Sequence, residues 1–170
     1  MTEKYPEELY RGVSSINDIT KEGYVMAGAF KFDNYDGDSR GNDGFCELSI
    51  NWNDDDNAIK VLLEQHKPFK EEKQFKAGYC KIKRSYIDLM LKQYMDDGRF
   101  KYERRPIEAR PEEDIHSNPY HGNLLMMNDL DKNAKKNIQH SLATLAGSII
   151  KRESEWESVL LYELILNVVL

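Results

Sequence analysis

Cys46-Glu47-Leu48-Ser49-Ile50-Asn51-Trp52 is the stretch that decides how this chain folds. Apolar and polar residues alternate in it without a break. In an extended strand successive side chains point to opposite faces. Cys46, Leu48, Ile50 and Trp52 therefore share one face, and Glu47, Ser49 and Asn51 the other. Such alternation predicts a sheet with one face packed on a core. The polar face then meets solvent or lines a cleft.

Outward from this strand, other elements follow. Asn53-Asp54-Asp55-Asp56 comes directly after it. Three consecutive acids resemble a metal cluster, but acids also favour a helix start, where amide donors and the macrodipole attract negative charge. The spacing predicts a helix over Asp54–His66 that buries Ile59, Val61, Leu62 and Leu63. A strand is predicted near Gln74–Lys83. A second helix begins at Ser85, with Ser85 and Asp88 in capping-box spacing. Ile87, Met90, Leu91 and Tyr94 form one face of it, and Gly98 stops it. Phe100–Arg105 returns as a strand that Pro106 ends. Asn123–Met127 reads as a short buried strand. A long helix is predicted over Asp129–Lys151, with a stripe of Leu130, Ala134, Ile138, Leu142, Leu145 and Ile149. On the N-terminal side, Gly23–Phe32 reads as a strand. Asp33–Gly44 reads as a solvated hairpin loop in which Gly37, Gly41 and Gly44 alternate with Asp and Asn. Its acids lack the distal glutamate of a calcium loop.

The order of elements is mixed rather than strictly alternating. We therefore expect a single α+β domain over residues 1–152, with a mainly antiparallel sheet and two to four helices, including a long C-terminal one. Residues 153–170 are an apolar C-terminal segment, expected to pack on the core, on a protein partner or on a second copy. Its strongly apolar run, Val159–Leu170, contains Glu163 and Asn167 and is too short to span a bilayer.

The chain has 170 residues, enough for one domain with a real core. Its net charge of −6 argues against a broad nucleic-acid-coating surface. The acidic start MTEKYPEELY lacks a secretory pattern, and no membrane association is expected. Cys46 and Cys80 sit in apolar-patterned segments and read as buried thiols of a reducing compartment. The expected location is the cytoplasm.

The densest polar cluster is Asp114-Ile-His-Ser-Asn-Pro-Tyr-His-Gly-Asn123. Proline, glycine and amides there suggest a shaped loop, and shaped loops often carry function. His116 and His121 are candidate catalytic residues, and Asn118 and Tyr120 candidate binding residues. Asp114, His116 and His121 could form a two-histidine, one-carboxylate metal site. A spacing of five between the histidines fits no metal motif with a known mechanism, so no metal is assigned. What survives is a Pro-shaped turn that presents His121 to a cleft or fastens the chain's re-entry into the sheet. Ser49 and Asn51, on the polar face of the central strand, are further binding candidates. No Gly-rich phosphate loop, Cys-x-x-Cys pair or nucleophile elbow occurs, and no cofactor is assigned.

Tyr10-Arg11-Gly12, followed by Ser14-Ser15, Ile19 and Gly23, resembles the opening of ADP-ribosyltransferase-like domains. That resemblance covers about fifteen residues and implies that Arg11 contacts a nicotinamide cofactor, as a planar guanidinium can. The alternative is an arginine on a strand edge paired with an acid. A second resemblance spans most of the chain. Arg11, Gly23–Val25, Ala29-Phe30, Leu48–Ile50, Asn118–His121 and Leu142–Ala146 are similar in order to a set of small bacterial proteins to which no activity is assigned. It implies a bacterial source and carries over no active residue.

Two main functional expectations follow, with a metal-dependent hydrolase as a third. The first is a non-catalytic interaction or accessory subunit. The second is a small enzyme acting on a nucleotide or nucleic acid through Arg11 with His116 or His121.

Overall fold

In a computed structural model, residues 5–34 and 44–151 are described. Residues 153–170 and most of the Asp33–Gly44 loop lie outside the described residues, and with them the expectations placed there. Strand β1 covers Glu8–Val13, β2 Asp33–Asn34 and β3 Phe45–Trp52, followed by helix α1 at Asn57–Glu64. Strand β4 is Gly78–Lys83, and helices α2 and α3 are Arg84–Met90 and Lys92–Asp96. Strands β5 and β6 are Phe100–Arg104 and His121–Met127, and α4 is Lys132–Ala146. The sheet runs β4-β1-β3-β6-β5, with β2 paired to β3, and all these pairings are antiparallel. The α+β architecture with a long helix at residues 132–146 agrees with the sequence pattern. Among the described residues, no helix is long and apolar enough to cross a membrane.

The alternation in β3 is realised in space. Leu9, Leu48, Ile50, Trp52, Ile82 and Leu124 form one buried cluster with Ile138 and Leu142 of α4. Trp52 is fully buried, its ring 4.8 Å from that of Tyr5 and 5.7 Å from that of Tyr102. Gly122 makes room for it. A Cβ at that position would lie 2.3 Å from Trp52 Nε1 and 2.4 Å from the Glu103 carbonyl. The opposite side of β1 packs Tyr10 with Ala58, Leu62, Leu63 and Phe75.

Five elements differ from the sequence pattern. The single helix expected from Ser85 to Gly98 forms as two, α2 and α3, which meet at Leu91, and Met90 is exposed rather than on its buried face. Ala27–Phe30 is a 3-10 turn rather than part of a strand, and Val25 makes only an isolated bridge to Ile19. Tertiary contact decides this, because the Arg11 guanidinium takes the Ala29 carbonyl at 3.1 Å. Helix α4 ends at Ala146 rather than continuing to Lys151. Gly147, at φ 62°, turns the chain out, and Ile150 then exchanges backbone hydrogen bonds with Tyr79 at 2.8 and 3.1 Å. Helix α1 begins at Asn57, whose N–H donates to the Asp55 carboxylate at 2.8 Å, while Asp54 instead pairs with Arg104. The capping box at Ser85 does not form. Ser85 donates to Glu7, and Asp88 accepts from Arg84 and Tyr102.

Both cysteines are buried and free. Burial pushes the Cys80 thiol up to about 12 and raises that of Cys46 as well.

Candidate functional site

The register of three strands assembles one polar face. Ser49 of β3 lies opposite Asn123 of β6, and Asn51 opposite His121. On the far side of β6, Glu103 of β5 lies opposite Asn123. Each of these residues alternates with an apolar neighbour, so the pattern that builds the core also lines up the polar groups.

Asn51 and Asn118 are both almost fully buried. Asn51 donates through Nδ2 to the Ala58 carbonyl at 3.1 Å and accepts from Asn118 Nδ2 at 2.9 Å. Asn118 Oδ1 accepts from the Tyr120 N–H at 3.1 Å, closing an Asx turn. The Asn118 backbone also exchanges hydrogen bonds with Ile107 at 2.8 and 2.9 Å. The loop before β6 is thus tied to β3 through two amide side chains.

His121 is held just beyond that tie. Its Nδ1 lies 2.7 Å from the Arg105 carbonyl. A carbonyl only accepts, so Nδ1 carries the proton and Nε2 keeps a lone pair. Burial pushes the imidazole pKa down to about 4, and the ring is neutral at pH 7.

A cavity of about 110 Å³ opens here, with Ser49, Asn51, Gln65, Gln74, Asn118 and His121 around it. Leu62, Phe75 and Ile107 supply apolar wall. Beside it lies a charged network. Arg105 Nη1 is 3.2 Å from Glu47 and 4.0 Å from Glu103. Asn123 Nδ2 donates to Glu47 at 3.0 Å and to Glu103 at 3.1 Å. Both amide hydrogens point at carboxylates, which orients the Asn123 amide. Its buried Oδ1 has no hydrogen-bond partner among the described residues.

Four of the residues singled out in the sequence, Ser49, Asn51, Asn118 and His121, therefore surround one cavity. Tyr120 adjoins it, but its hydroxyl donates to the Asp55 carboxylate at 2.8 Å. That hydrogen bond holds the phenol pKa above its ordinary value. Arg11 leaves β1 on the side of Leu9 and Val13. Past the Tyr10–Asn51 pair, β1 and β3 share no further paired residues. There the guanidinium bonds the Ser49 carbonyl at 2.8 Å in addition to that of Ala29. His116 lies apart from His121 and joins Asp114 and His66.

Sequence reasoning missed Gln65, Gln74 and His66, and the network of Glu47, Glu103, Arg105 and Asn123. Alternation in Lys101, Glu103 and Arg105 carried a signal for the network. The glutamines and His66 carried none, because Gln65 and His66 close an ordinary helical pattern and Gln74 sits at the start of a predicted strand. Comparison of the chain with family models, with curated proteins and with solved structures finds no match in any of the three.

Proposed function

We propose that this protein is a non-catalytic binding module that takes a small, uncharged, hydrogen-bonding group into the cavity beside Asn51, Asn118 and His121. One observation carries the reading: every polar side chain around the cavity is neutral at pH 7, His121 included. A site of neutral amides, one hydroxyl and one imidazole acceptor matches a ligand carrying both donors and acceptors. It offers an ionic group no opposite charge.

Catalysis is less well supported by the same geometry. A general base works best with a pKa near the working pH, and His121 titrates near 4. The alternative of an enzyme acting on nucleotides needs Arg11 and a histidine on one ligand. The Arg11 guanidinium is committed to two backbone carbonyls.

Size narrows the ligand. At roughly 30 Å³ per water, a cavity of 110 Å³ holds about four waters. Pockets that enclose whole drug-sized molecules span about 300–1,000 Å³. The cavity therefore suits one side group of a larger partner, such as a carboxamide or a hydroxyl-bearing fragment.

An NMR titration of the full chain with uncharged amides and alcohols, against acetate and methylammonium, tests this. The expected result is a set of amide-proton shifts confined to Ser49, Asn51, Asn118 and His121 with the neutral probes. The shifts should weaken in Ser49→Val, an exposed strand position suited to a β-branched residue, with circular dichroism to establish that the variant is folded. Equal response to the ionic probes, or shifts scattered elsewhere, would overturn the reading.

A further inference from the structure

We propose that His66, His116 and Asp114 form a binding site for one divalent transition-metal ion of the zinc class, with a coordination position open to solvent. Asp114 and His116 belong to the polar loop before β6, whereas His66 comes from a distant part of the chain. His66 follows α1, and fifty residues separate it from His116. One ligand atom from each lies within 4.8 Å of the others. His66 Nε2 and His116 Nε2 face each other at 2.6 Å. Asp114 Oδ2 is 3.8 Å from His66 Nδ1, and Asp114 Oδ1 is 4.0 Å from His116 Nε2.

The hydrogen bonds around the site fix which atoms are free. His66 Nδ1 lies 3.1 Å from the Lys67 carbonyl and so carries the ring's proton. Its Nε2 lone pair is thereby aimed at His116. Metal-binding imidazoles are oriented in the same way, the outer N–H tied to a carbonyl or carboxylate. Asp114 Oδ2 accepts from the Phe69 N–H at 2.6 Å, which anchors the carboxylate and leaves Oδ1 for an ion. Phe69 and Asp114 have φ of 57° and 53°, and they are the non-glycine residues with left-handed backbone among those described. That hydrogen bond joins them directly.

Two imidazole nitrogens so close must share a positive centre. A proton on His116 Nε2 is one solution. A metal ion is the other, with the displaced proton passing through solvent to His116 Nδ1, so the rings keep their charge. Metal–nitrogen bonds of about 2.0–2.1 Å at tetrahedral angles set the nitrogens about 3.3 Å apart. The rings must then separate by about 0.7 Å. The His116 side chain is 63% exposed and can give way. Two imidazoles and one carboxylate favour zinc and its first-row neighbours over calcium or magnesium, which take oxygen ligands.

The experiment uses the full chain, stripped with chelator and titrated calorimetrically with Zn²⁺, then with Co²⁺ while its visible absorption is recorded. One equivalent of Zn²⁺ is expected, along with cobalt bands of low-coordinate nitrogen–oxygen ligation. His116→Ala should weaken binding by about tenfold or more, as should Asp114→Asn. His140→Ala, which alters an exposed histidine on α4, should leave binding unchanged. Circular dichroism establishes that each variant is folded. Failure of the folded wild-type chain to bind Zn²⁺, or binding that His116→Ala leaves intact, would overturn the proposal in favour of a histidine–histidine hydrogen bond alone.

Discussion

Cys46, Leu48, Ile50 and Trp52 leave β3 on one face, and Glu47, Ser49 and Asn51 on the other. Cys46, Leu48, Ile50, Trp52, Glu47 and Asn51 are all nearly inaccessible to solvent. The two faces meet that condition differently. On the apolar face burial itself stabilises, roughly in proportion to area and without regard to direction. On the polar face each donor and acceptor removed from water needs a partner. Glu47 finds Arg105 and Asn123, and Asn51 finds Asn118 and the Ala58 carbonyl. The first face supplies driving force. The second penalises a slipped register, because a one-residue shift would place every one of these groups opposite the wrong neighbour.

Substitutions on the two faces should expose that difference. Trp52→Ala is expected to give the largest loss, about 3–5 kcal/mol in urea unfolding, because it empties the space between Tyr5 and Tyr102. A loss below about 1 kcal/mol would show that the driving force lies elsewhere. Glu47→Ala should cost about 3 kcal/mol, since it removes the carboxylate 3.2 Å from Arg105 Nη1 and 3.0 Å from Asn123 Nδ2. Glu47→Met combined with Arg105→Met should recover most of that loss. If the double variant is no more stable than the single one, the charge pair is a net stabiliser rather than a specifier.

A smaller effect is expected from His121. Unfolded, an imidazole binds a proton below about pH 6.5; folded, this one resists until about 4. Between those values the unfolded chain holds more protons, so stability falls as pH drops through that window. By pH 5 the loss is about 2 kcal/mol, and the difference between wild type and His121→Gln isolates it. An unchanged pH slope in the variant would remove His121 from the buried set. The smallest effect is at the start of α4, on the apolar side. Asp131 accepts from the N–H groups of Asn133 and Ala134 at 2.8 and 3.0 Å. Asp131→Ala should therefore weaken the start of α4, measurable as a small fall in Tm.

Much of this arrangement was legible from local pattern. Alternation in β3 identified both faces, and so pointed to Ser49 and Asn51 before any pairing was known. The turn at Asn118-Pro119 pointed to Asn118 and His121. Their convergence was not legible, because it depends on the β3–β6 register that brings Asn51 opposite His121. The turn at Ala27–Phe30 was misread for a related reason. Its glycine and alanines are poor strand formers, a preference masked by the flanking Tyr24, Val25 and Phe32, and the Arg11 bond that shapes it comes from another strand. His66 was invisible as a candidate because its neighbours in space belong to a loop some fifty residues further on.

The two buried thiols can serve as built-in reporters of how the sheet opens. A thiol reagent attacks only thiolate, and the packed fold both shields these sulfurs and suppresses their ionisation. Labelling must therefore wait for a strand to come away. Cys80 lies in β4 at one end of the sheet, whereas Cys46 lies in β3 at its middle. Equal labelling rates would mark concerted unfolding. Faster labelling of Cys80 would mark a sheet that unzips from its β4 edge while the centre stays closed.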